Sequence, residues 1–358
     1  MKNAAETPRF FLFSESAFAS RHPAGCFRQS EHRRTRALCS GRRRPRLGRF
    51  ATAIPAESLR SINKERLLGV RLRLVKGGYM AFKDILLTLA SYPEPTPVSV
   101  IDDAVSVAAV LDAHLAAISC EVHAEVRASL LGDVILDIPA LVAREATKSR
   151  ENAQALLAAF EASAAKSGVR HETIFEQCAS AGEAALLADY ARLRDLTIMA
   201  APDSHDRWYA EEVIFESGRP TLILPAAPRS RPFRLDAVCV AWDFSRTAAR
   251  AVSAALPLLE GAGRVRVVTV TNEKALDSKH SGEQLAKNLA RHGIEVVRDE
   301  IDAEGKPIDE VLTSHVLSHG IDVLVMGAYG TPRWREFVLG GATRGLLSKP
   351  PIPILFSH

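Results

Sequence analysis

Short apolar runs alternate with segments of helical periodicity from Phe82 to the end of the sequence. Such alternation predicts strand–helix–strand units and a parallel sheet, because each helix returns the chain to the edge of the sheet at which the next strand starts. No run approaches the ~18 uninterrupted apolar residues that a membrane-spanning helix requires. The pattern therefore predicts an α/β fold and no association with a membrane.

The alternation occurs twice along the chain. The predicted strands of the first half are FKDILLTLA, SCEVHAEV, ETIFEQC, LTIMAAP and TLILPA, and those of the second half are LDAVCVAW, RVRVVTVT, IEVVRDEI, IDVLVMGA and IPILF. A segment rich in Pro and Arg, PAAPRSRPFR, separates the two sets. We predict two tandem, doubly wound, parallel five-stranded sheets with strand order 3-2-1-4-5. The predicted domains are residues 80–227 and 235–358, with a linker at 228–234.

Residues 1–79 differ in composition from the rest of the chain. They hold 18 Lys and Arg against 5 Asp and Glu, whereas the remaining residues hold 28 against 37. Segments such as EHRRTRALCSGRRRPRLGRF have no sustained periodicity, so we predict a basic, disordered arm on an acidic globular body. The arm is a nucleic-acid-binding tail, a targeting peptide, or upstream sequence that is not translated. We favour the third, because Lys-Gly-Gly before Met80 is what a purine-rich ribosome-binding site encodes.

The five cysteines are scattered and none forms a C-x-x-C pair. This argues against a disulfide framework or a zinc site and favours a reducing, cytoplasmic location. His315 and His319 have the spacing of a helical metal-binding pair, but the sequence offers no third ligand. We therefore expect both histidines at the surface and no metal site.

Three glycines near the end of the chain are the strongest candidates for a binding site. Gly327 and Gly330 follow the fourth predicted strand of the second half, and Gly340 precedes its last helix, in LVMGAYGTPRWREFVLGGATRGLL. Glycine lets backbone amides approach phosphate oxygens closely, and the start of a helix offers free amides to the same anion. This segment is therefore either a phosphate cradle or a set of turn-forming glycines.

Asp243 is a second signal for the same place. It follows the first predicted strand of the second half, in AWDFS. With strand order 3-2-1-4-5, strands one and four are neighbours where the winding reverses, and ligands bind in that crevice. Asp243 could accept hydrogen bonds from ribose hydroxyls or adenine, or it could be the N-cap of the next helix. Further candidate phosphate ligands are Thr343, Arg333 and Arg344.

These motifs resemble those of the universal stress protein family in its tandem form. The nucleotide-binding branch of that family has Gly, two residues, Gly, nine residues, Gly, and then Ser or Thr. This chain has Gly327, Gly330 and Gly340 at that spacing, and Gly341 where the family has Ser or Thr. The segment WDFSRTAARA around Asp243 also resembles the family's strand-one signature.

The resemblance covers residues 80–358, closely in the second half and only in outline in the first. It implies an adenine nucleotide alpha hydrolase-like fold that binds ATP or AMP, with Mg²⁺ as a candidate companion ion. It also implies that the backbone of Val270, in VVTVTNE, contacts adenine. The first half has no glycine in MAAPDSHDRWYAEE and no aspartate in LASYPEP. By analogy it is a degenerate partner that binds no nucleotide and packs against the second half as a pseudo-dimer.

The function expected from the resemblance is that of a cytoplasmic, nucleotide-dependent stress-response regulator. It would act through partner binding or homo-oligomerisation at the edge of the last strand. The sequence contains no G-x-x-x-x-G-K-[ST] loop, nucleophile elbow or acid pair that can be placed, so we predict no catalytic residue and no enzyme. Three alternatives stay open: a scaffold that binds no nucleotide, a weak ATPase or nucleotidyl-transfer relative, and, least favoured, a nucleic-acid-binding protein that uses the arm.

Overall fold

The structure, a computed structural model, describes residues 82–123, 138–202, 207–229, 231–271, 281–328 and 341–358. All of these belong to one compact unit, Val75–His358. The predicted basic arm lies outside the described residues.

In the described part of the first half the chain forms five strands and four α-helices. The strands are β1 (Asp84–Leu89), β2 (His114–His123), β3 (His171–Ala179), β4 (Leu196–Ala200) and β5 (Thr221–Leu224). The helices are α1 (Val98–Leu111), α2 (Ile138–Ser167), α3 (Glu183–Arg192) and α4 (Arg207–Glu216).

The second half repeats this order. Its strands are β6 (Ala237–Ala241), β7 (Arg264–Thr271), β8 (Val296–Asp302), β9 (Val323–Gly327) and β10 (Ile354–Ser357). Its helices, again among the described residues, are α5 (Arg246–Gly261), α6 (Ser281–Arg291), α7 (Ile308–Ser318) and α8 (Gly341–Ser348).

The strands form one ten-stranded sheet with the order β3-β2-β1-β4-β5-β10-β9-β6-β7-β8. Each half has the predicted order 3-2-1-4-5 and is parallel throughout. The two predicted sheets are not separate, however, because β10 pairs antiparallel with β5, with Leu355 opposite Leu222. The edge of the last strand, which we expected to be available for partners, is therefore covered by the first half.

Both faces of the central strands are buried. Ile85 and Val238 belong to the hydrophobic cluster on one face of the sheet, and Leu86 and Cys239 belong to the cluster on the other face. Each cluster contains residues from both halves of the chain. The outermost strands, β3 and β8, instead alternate between partly buried and exposed residues. Their charged, half-exposed edges fit the outer positions that they occupy in the sheet.

In each half, one aspartate carboxylate accepts hydrogen bonds from two backbone amides at the start of the first strand. Asp195, just before β4, accepts hydrogen bonds through Oδ2 from the amides of Lys83 and Asp84, at 2.9 and 3.1 Å. Asp322, just before β9, accepts two equivalent bonds from the amides of Asp236 and Ala237, both at 2.9 Å. The two halves are therefore duplicated at the level of single hydrogen bonds, with Asp84 equivalent to Ala237.

Strand β2 differs most from its prediction, because it begins at His114 rather than at Ser119. The segment from His114 to Ser119 pairs along its whole length with β1, and Leu115–Ser119 is buried. A strand that is buried on both faces has no polar alternation, and its alanines favour a helix by local propensity. The preceding helix α1 and this strand therefore look continuous in the sequence.

Candidate functional site

The predicted crevice of the second half lies where β6 and β9 end. Val240 of β6 pairs with Val325 of β9, and β7 lies on the other side of β6. Strand β6 is thus the strand at which the order of the sheet reverses, the usual place for a ligand in a doubly wound sheet. Asp243 follows β6 itself and Gly327 ends the neighbouring strand β9, although 84 residues separate them in the sequence.

Asp243 is exposed at the mouth of this crevice. Its Oδ1 atom accepts a hydrogen bond from the amide of Ser245 at 3.0 Å. Ser245, not Asp243, is the N-cap of α5, because its hydroxyl accepts a hydrogen bond from the amide of Ala248 at 3.1 Å. The alternative interpretation of Asp243 as the N-cap is therefore wrong. Among the described residues nothing hydrogen-bonds to Oδ2 of Asp243, so one carboxylate oxygen can accept from a ligand.

An aromatic residue that the sequence analysis missed lies next to Asp243. Phe244 has a φ of 60° and is 53% exposed. A bulky residue with positive φ is strained, and such strain is concentrated at functional sites and tight turns. Its ring makes an edge contact with the buried ring of Trp242, at a centroid distance of 6.1 Å. The adjacent aromatic residues in WDFS were the available signal.

Gly327 is required by packing. A Cβ atom at this position would lie 2.5 Å from backbone atoms of both Thr247 and Ala248, in the first turn of α5. The end of β9 can approach α5 this closely because Gly327 has no side chain. The positive end of α5 and the end of β9 therefore meet at the crevice.

Val270 lies beside Asp243, on the neighbouring strand β7. The last paired residue of β6, Ala241, is opposite Val268, so Asp243 is level with Val270 just beyond the end of β6. Val270 is partly buried and pairs on its other side with Ile301 of β8. Because the pairing of β6 with β7 ends at Ala241 and Val268, β6 does not pair with the backbone of Val270. Contact of this backbone with a planar base would require such an unpaired position.

Helix α8 supplies three of the predicted residues. Gly341 is its exposed first residue, and no atom lies within 4 Å of the position that a Cβ would occupy. Thr343 is buried, whereas its neighbour Arg344 is exposed. Gly341 therefore has no steric reason to be glycine within the described structure. The remaining predicted residues, Gly330, Arg333 and Gly340, lie outside the described residues.

A comparison with protein-family models matches residues 235–358 to the universal stress protein family. The second half of the chain is a universal stress protein domain. No curated protein matched the sequence. A solved universal stress protein from Archaeoglobus fulgidus is similar with a TM-score of 0.57 and 17% sequence identity, over 76% of this chain and 97% of that one. This similarity extends the family's fold to most of the chain.

Two other solved structures are similar at lower scores. A putative universal stress protein from Pseudomonas aeruginosa has a TM-score of 0.47 and 15% identity, over 77% of this chain and 93% of that one. A protein of the universal stress protein family from Burkholderia pseudomallei has a TM-score of 0.28 and 21% identity, over 35% of this chain and 98% of that one.

The second half of the sequence, now assigned to this family, also contains a buried polar cluster away from the crevice. His315 of α7 is buried, and its Nε2 atom lies 3.3 Å from Oδ2 of Asp299 without hydrogen-bond alignment. Asp299 accepts from Nη1 of Arg266 at 2.7 and 2.9 Å. The ring of His319 lies 4.2 Å from that of His315. The expected surface placement is therefore wrong for His315.

Burial lowers the pKa of His315 below its ordinary value, and the charge of His319 lowers it further. The described part of the chain contains no group of three metal-ligating side chains. Likewise, none of the described helices combines the length and apolar character needed to cross a bilayer.

Proposed function

We propose that the chain is a tandem universal stress protein whose second half binds ATP or AMP in the crevice between β6 and β9. The observation that carries the proposal is that Asp243 and Gly327 meet at this crevice. Asp243 there has a free carboxylate oxygen, and Gly327 lies against the positive end of α5. Occupancy of the site would act as the regulatory signal, through partner binding or homo-oligomerisation.

Each predicted residue has a distinct task in this proposal. Asp243 accepts hydrogen bonds from the ribose hydroxyls, and the backbone of Val270 contacts adenine. The phosphates lie between the end of β9 and the start of α8, where free amides and the hydroxyl of Thr343 are their donors. Further phosphate ligands in the proposal are Gly330, Arg333, Gly340, Gly341 and Arg344. Bound Mg²⁺ would neutralise phosphate charge.

We propose binding rather than catalysis because the sequence contains none of the nucleotide-hydrolase or nucleophile motifs noted above. A weak ATPase would require metal-dependent release of phosphate that is lost in the Asp243→Ala variant. A phosphate-release assay on the purified parent chain and on the Asp243→Ala variant therefore tests this alternative directly.

Two observations favour a second function, that of a scaffold which binds no nucleotide. The contact of Gly327 with α5 explains this glycine without a ligand, and Gly341 supplies no hydroxyl where the family has Ser or Thr. In that case the crevice is a structural corner of the fold.

The deciding experiment is calorimetric titration of the purified full chain with ATP and with AMP, after analysis of any nucleotide released on denaturation. We expect saturable binding that the Asp243→Ala variant weakens by about tenfold or more, since hydrogen bonds to a charged group are lost. The matched control is Asp189→Ala, which removes an exposed carboxylate from α3. No binding of either nucleotide at millimolar concentration would favour the scaffold.

A gain-of-function variant tests the phosphate side. Gly341→Ser places a hydroxyl in open space at the start of α8, so we expect ATP to bind about two- to tenfold more tightly. A folded Gly341→Ser variant with unchanged affinity would place the phosphates elsewhere.

A further inference from the structure

The first half contains a cavity at the place that corresponds to the proposed nucleotide crevice. Its volume is ≈ 260 Å³, and it lies where β1 and β4 end, under the first turn of α4. Strand β1 lies between β2 and β4, so it is the strand at which the order of the first half reverses. The cavity therefore occupies the usual ligand position of a doubly wound sheet.

The cavity is lined by the counterparts of the two signature residues. Asp195 and Asp322 make equivalent hydrogen bonds to the start of β1 and of β6. This equivalence aligns Asp195 with Asp322 and Asp84 with Ala237. Counting along the strands then places Ala90 where the second half has Asp243, and Ala200 where it has Gly327. Both alanines line the cavity. The first half has thus lost the residues proposed for ribose and phosphate while keeping an open space between the same strand ends.

The walls of the cavity are held in place by hydrogen bonds within the protein. The amide of Ala90 donates to the hydroxyl of Thr96, and the amide of Thr96 donates to the carbonyl of Ala90, both at 2.9 Å. On the opposite wall the amide of Ala201 donates to the carbonyl of Leu224 at 2.8 Å. A pocket whose walls are already ordered loses little conformational entropy when a ligand enters.

The chemistry of the lining disfavours an anion. Among the described residues that line the cavity there is no Lys, Arg, His or Gly, and Pro202 has no amide hydrogen to donate. The residue with a formal charge among these described lining residues is Glu94, which is exposed in the loop between β1 and α1. The partial positive charge at the start of α4 is smaller than the full charge of a carboxylate. Tyr209 contributes an aromatic ring, and Met199 and the alanines contribute apolar surface.

We propose that the cavity of the first half binds a small organic cation, a protonated amine with an apolar body. The amine would lie towards Glu94 and the ring of Tyr209, and the body would contact the apolar wall. The volume lies just below that of drug-sized pockets, which suits a ligand with a single ring. The first half is then a second sensor with a different ligand class, independent of nucleotide binding by the second half.

Two methionines at equivalent positions allow both sites to be observed in one sample. Met199 lines the cavity, and Met326 lies just before Gly327 at the second-half crevice. The full chain contains four methionines, so ¹³C-methyl labelling yields few signals, which Met→Leu variants assign. The probes are 2-phenylethylamine, its neutral analogue 2-phenylethanol and its anionic analogue phenylacetate.

We expect the amine to shift the Met199 signal in a saturable manner and to leave Met326 unchanged. The alcohol should bind about fivefold more weakly because it lacks the charge, and phenylacetate should cause no shift. The Glu94→Gln variant should reduce the affinity for the amine to that for the alcohol. Asp189→Asn is the control for general loss of negative charge. Ala226→Phe, at an exposed lining position, should block both the amine and the alcohol.

Three outcomes would overturn the proposal: no shift of Met199 with the amine, equal affinity for the three probes, or preference for phenylacetate. ATP is added separately to the same sample. A shift of Met326 with ATP concerns the nucleotide proposal alone, so failure of one proposal is distinguishable from failure of the other.

Discussion

Gly327 and Gly341 belong to the same sequence motif, but their surroundings differ. Gly327 contacts the backbone of α5, whereas Gly341 is open to space. A glycine motif therefore combines positions that packing requires with positions that have open space around them, and the spacing alone does not distinguish the two.

Replacement of each glycine by alanine should separate the two roles. We expect Gly327→Ala to lower the free energy of unfolding by about 1–3 kcal/mol, because its Cβ overlaps the backbone of Thr247 and Ala248. Gly341→Ala should leave stability unchanged or raise it by up to about 1 kcal/mol, since alanine favours the helix. Urea unfolding of both variants measures the difference. Equal stabilities would contradict the close approach of β9 and α5.

The buried position of His315 predicts a pH dependence of stability. Because the pKa of His315 is lowered in the folded protein, the unfolded chain binds more protons once the pH falls below the ordinary histidine value of about 6.5. Stability should therefore decrease on acidification through that range, by at most about 1.4 kcal/mol per pH unit from this group. Asp299 opposes the effect, while Arg266 and His319 add to it.

Urea unfolding at pH 5.5 and 7.5 tests this expectation. The His315→Gln variant should have a smaller loss of stability between the two pH values than the parent chain. His292→Gln, which replaces a half-exposed histidine near Glu260, is the matched control and should keep the parent's dependence. An identical dependence in all three proteins would exclude His315 as the cause.

At the scale of elements, the features most open to test are the two carboxylates, Asp195 and Asp322, that bind the backbone at the start of β1 and β6. Asp322 is buried and accepts two backbone amides at the start of β6, whereas Asp195 makes the equivalent bonds in a more exposed position. We expect Asp322→Ala to lower the free energy of unfolding by about 2–3 kcal/mol, because a buried and a partly buried amide lose a charged acceptor. Asp195→Ala should cost less. Chemical denaturation measures both, and a larger loss for Asp195→Ala would be contrary to this order.

The strands were predictable because local pattern determines them. All ten predicted strands overlap the observed ones, and the prediction for β7 matches both of its bounds. The start of β2 was missed because its residues are apolar on both faces and rich in alanine. Periodicity identifies an element by the contrast between its buried and exposed faces, and a central strand has no such contrast.

At the scale of the whole molecule, the junction of β5 and β10 makes one sheet from two repeats. Both hydrophobic clusters extend across this junction. The predicted intramolecular pseudo-dimer thus takes the form of a continuous sheet, while homo-oligomerisation stays a prediction. A partner that reads nucleotide occupancy would need a surface other than the covered edge of β10.

The continuous sheet predicts cooperative unfolding of the described halves. A variant whose only tryptophan is Trp208 reports on the first half, and one whose only tryptophan is Trp242 reports on the second. We expect their fluorescence transitions in urea to coincide with the loss of circular dichroism, because unfolding either half would expose the cluster residues of the other. Midpoints that differ between each fluorescence signal and the circular dichroism of the same variant would show that the halves unfold separately.

The sequence alone determined the α/β class, the duplicated strand order and the crevice at which Asp243 and Gly327 meet. These follow from the local spacing of apolar residues and from the rule that locates ligands where a parallel sheet reverses. Only the tertiary structure decided the pairing of β5 with β10, the contact of Gly327 with α5, the burial of His315 and the cavity between Ala90 and Ala200. Each of these depends on residues that are distant in the sequence and become neighbours only when the chain is folded, so no local pattern encodes them.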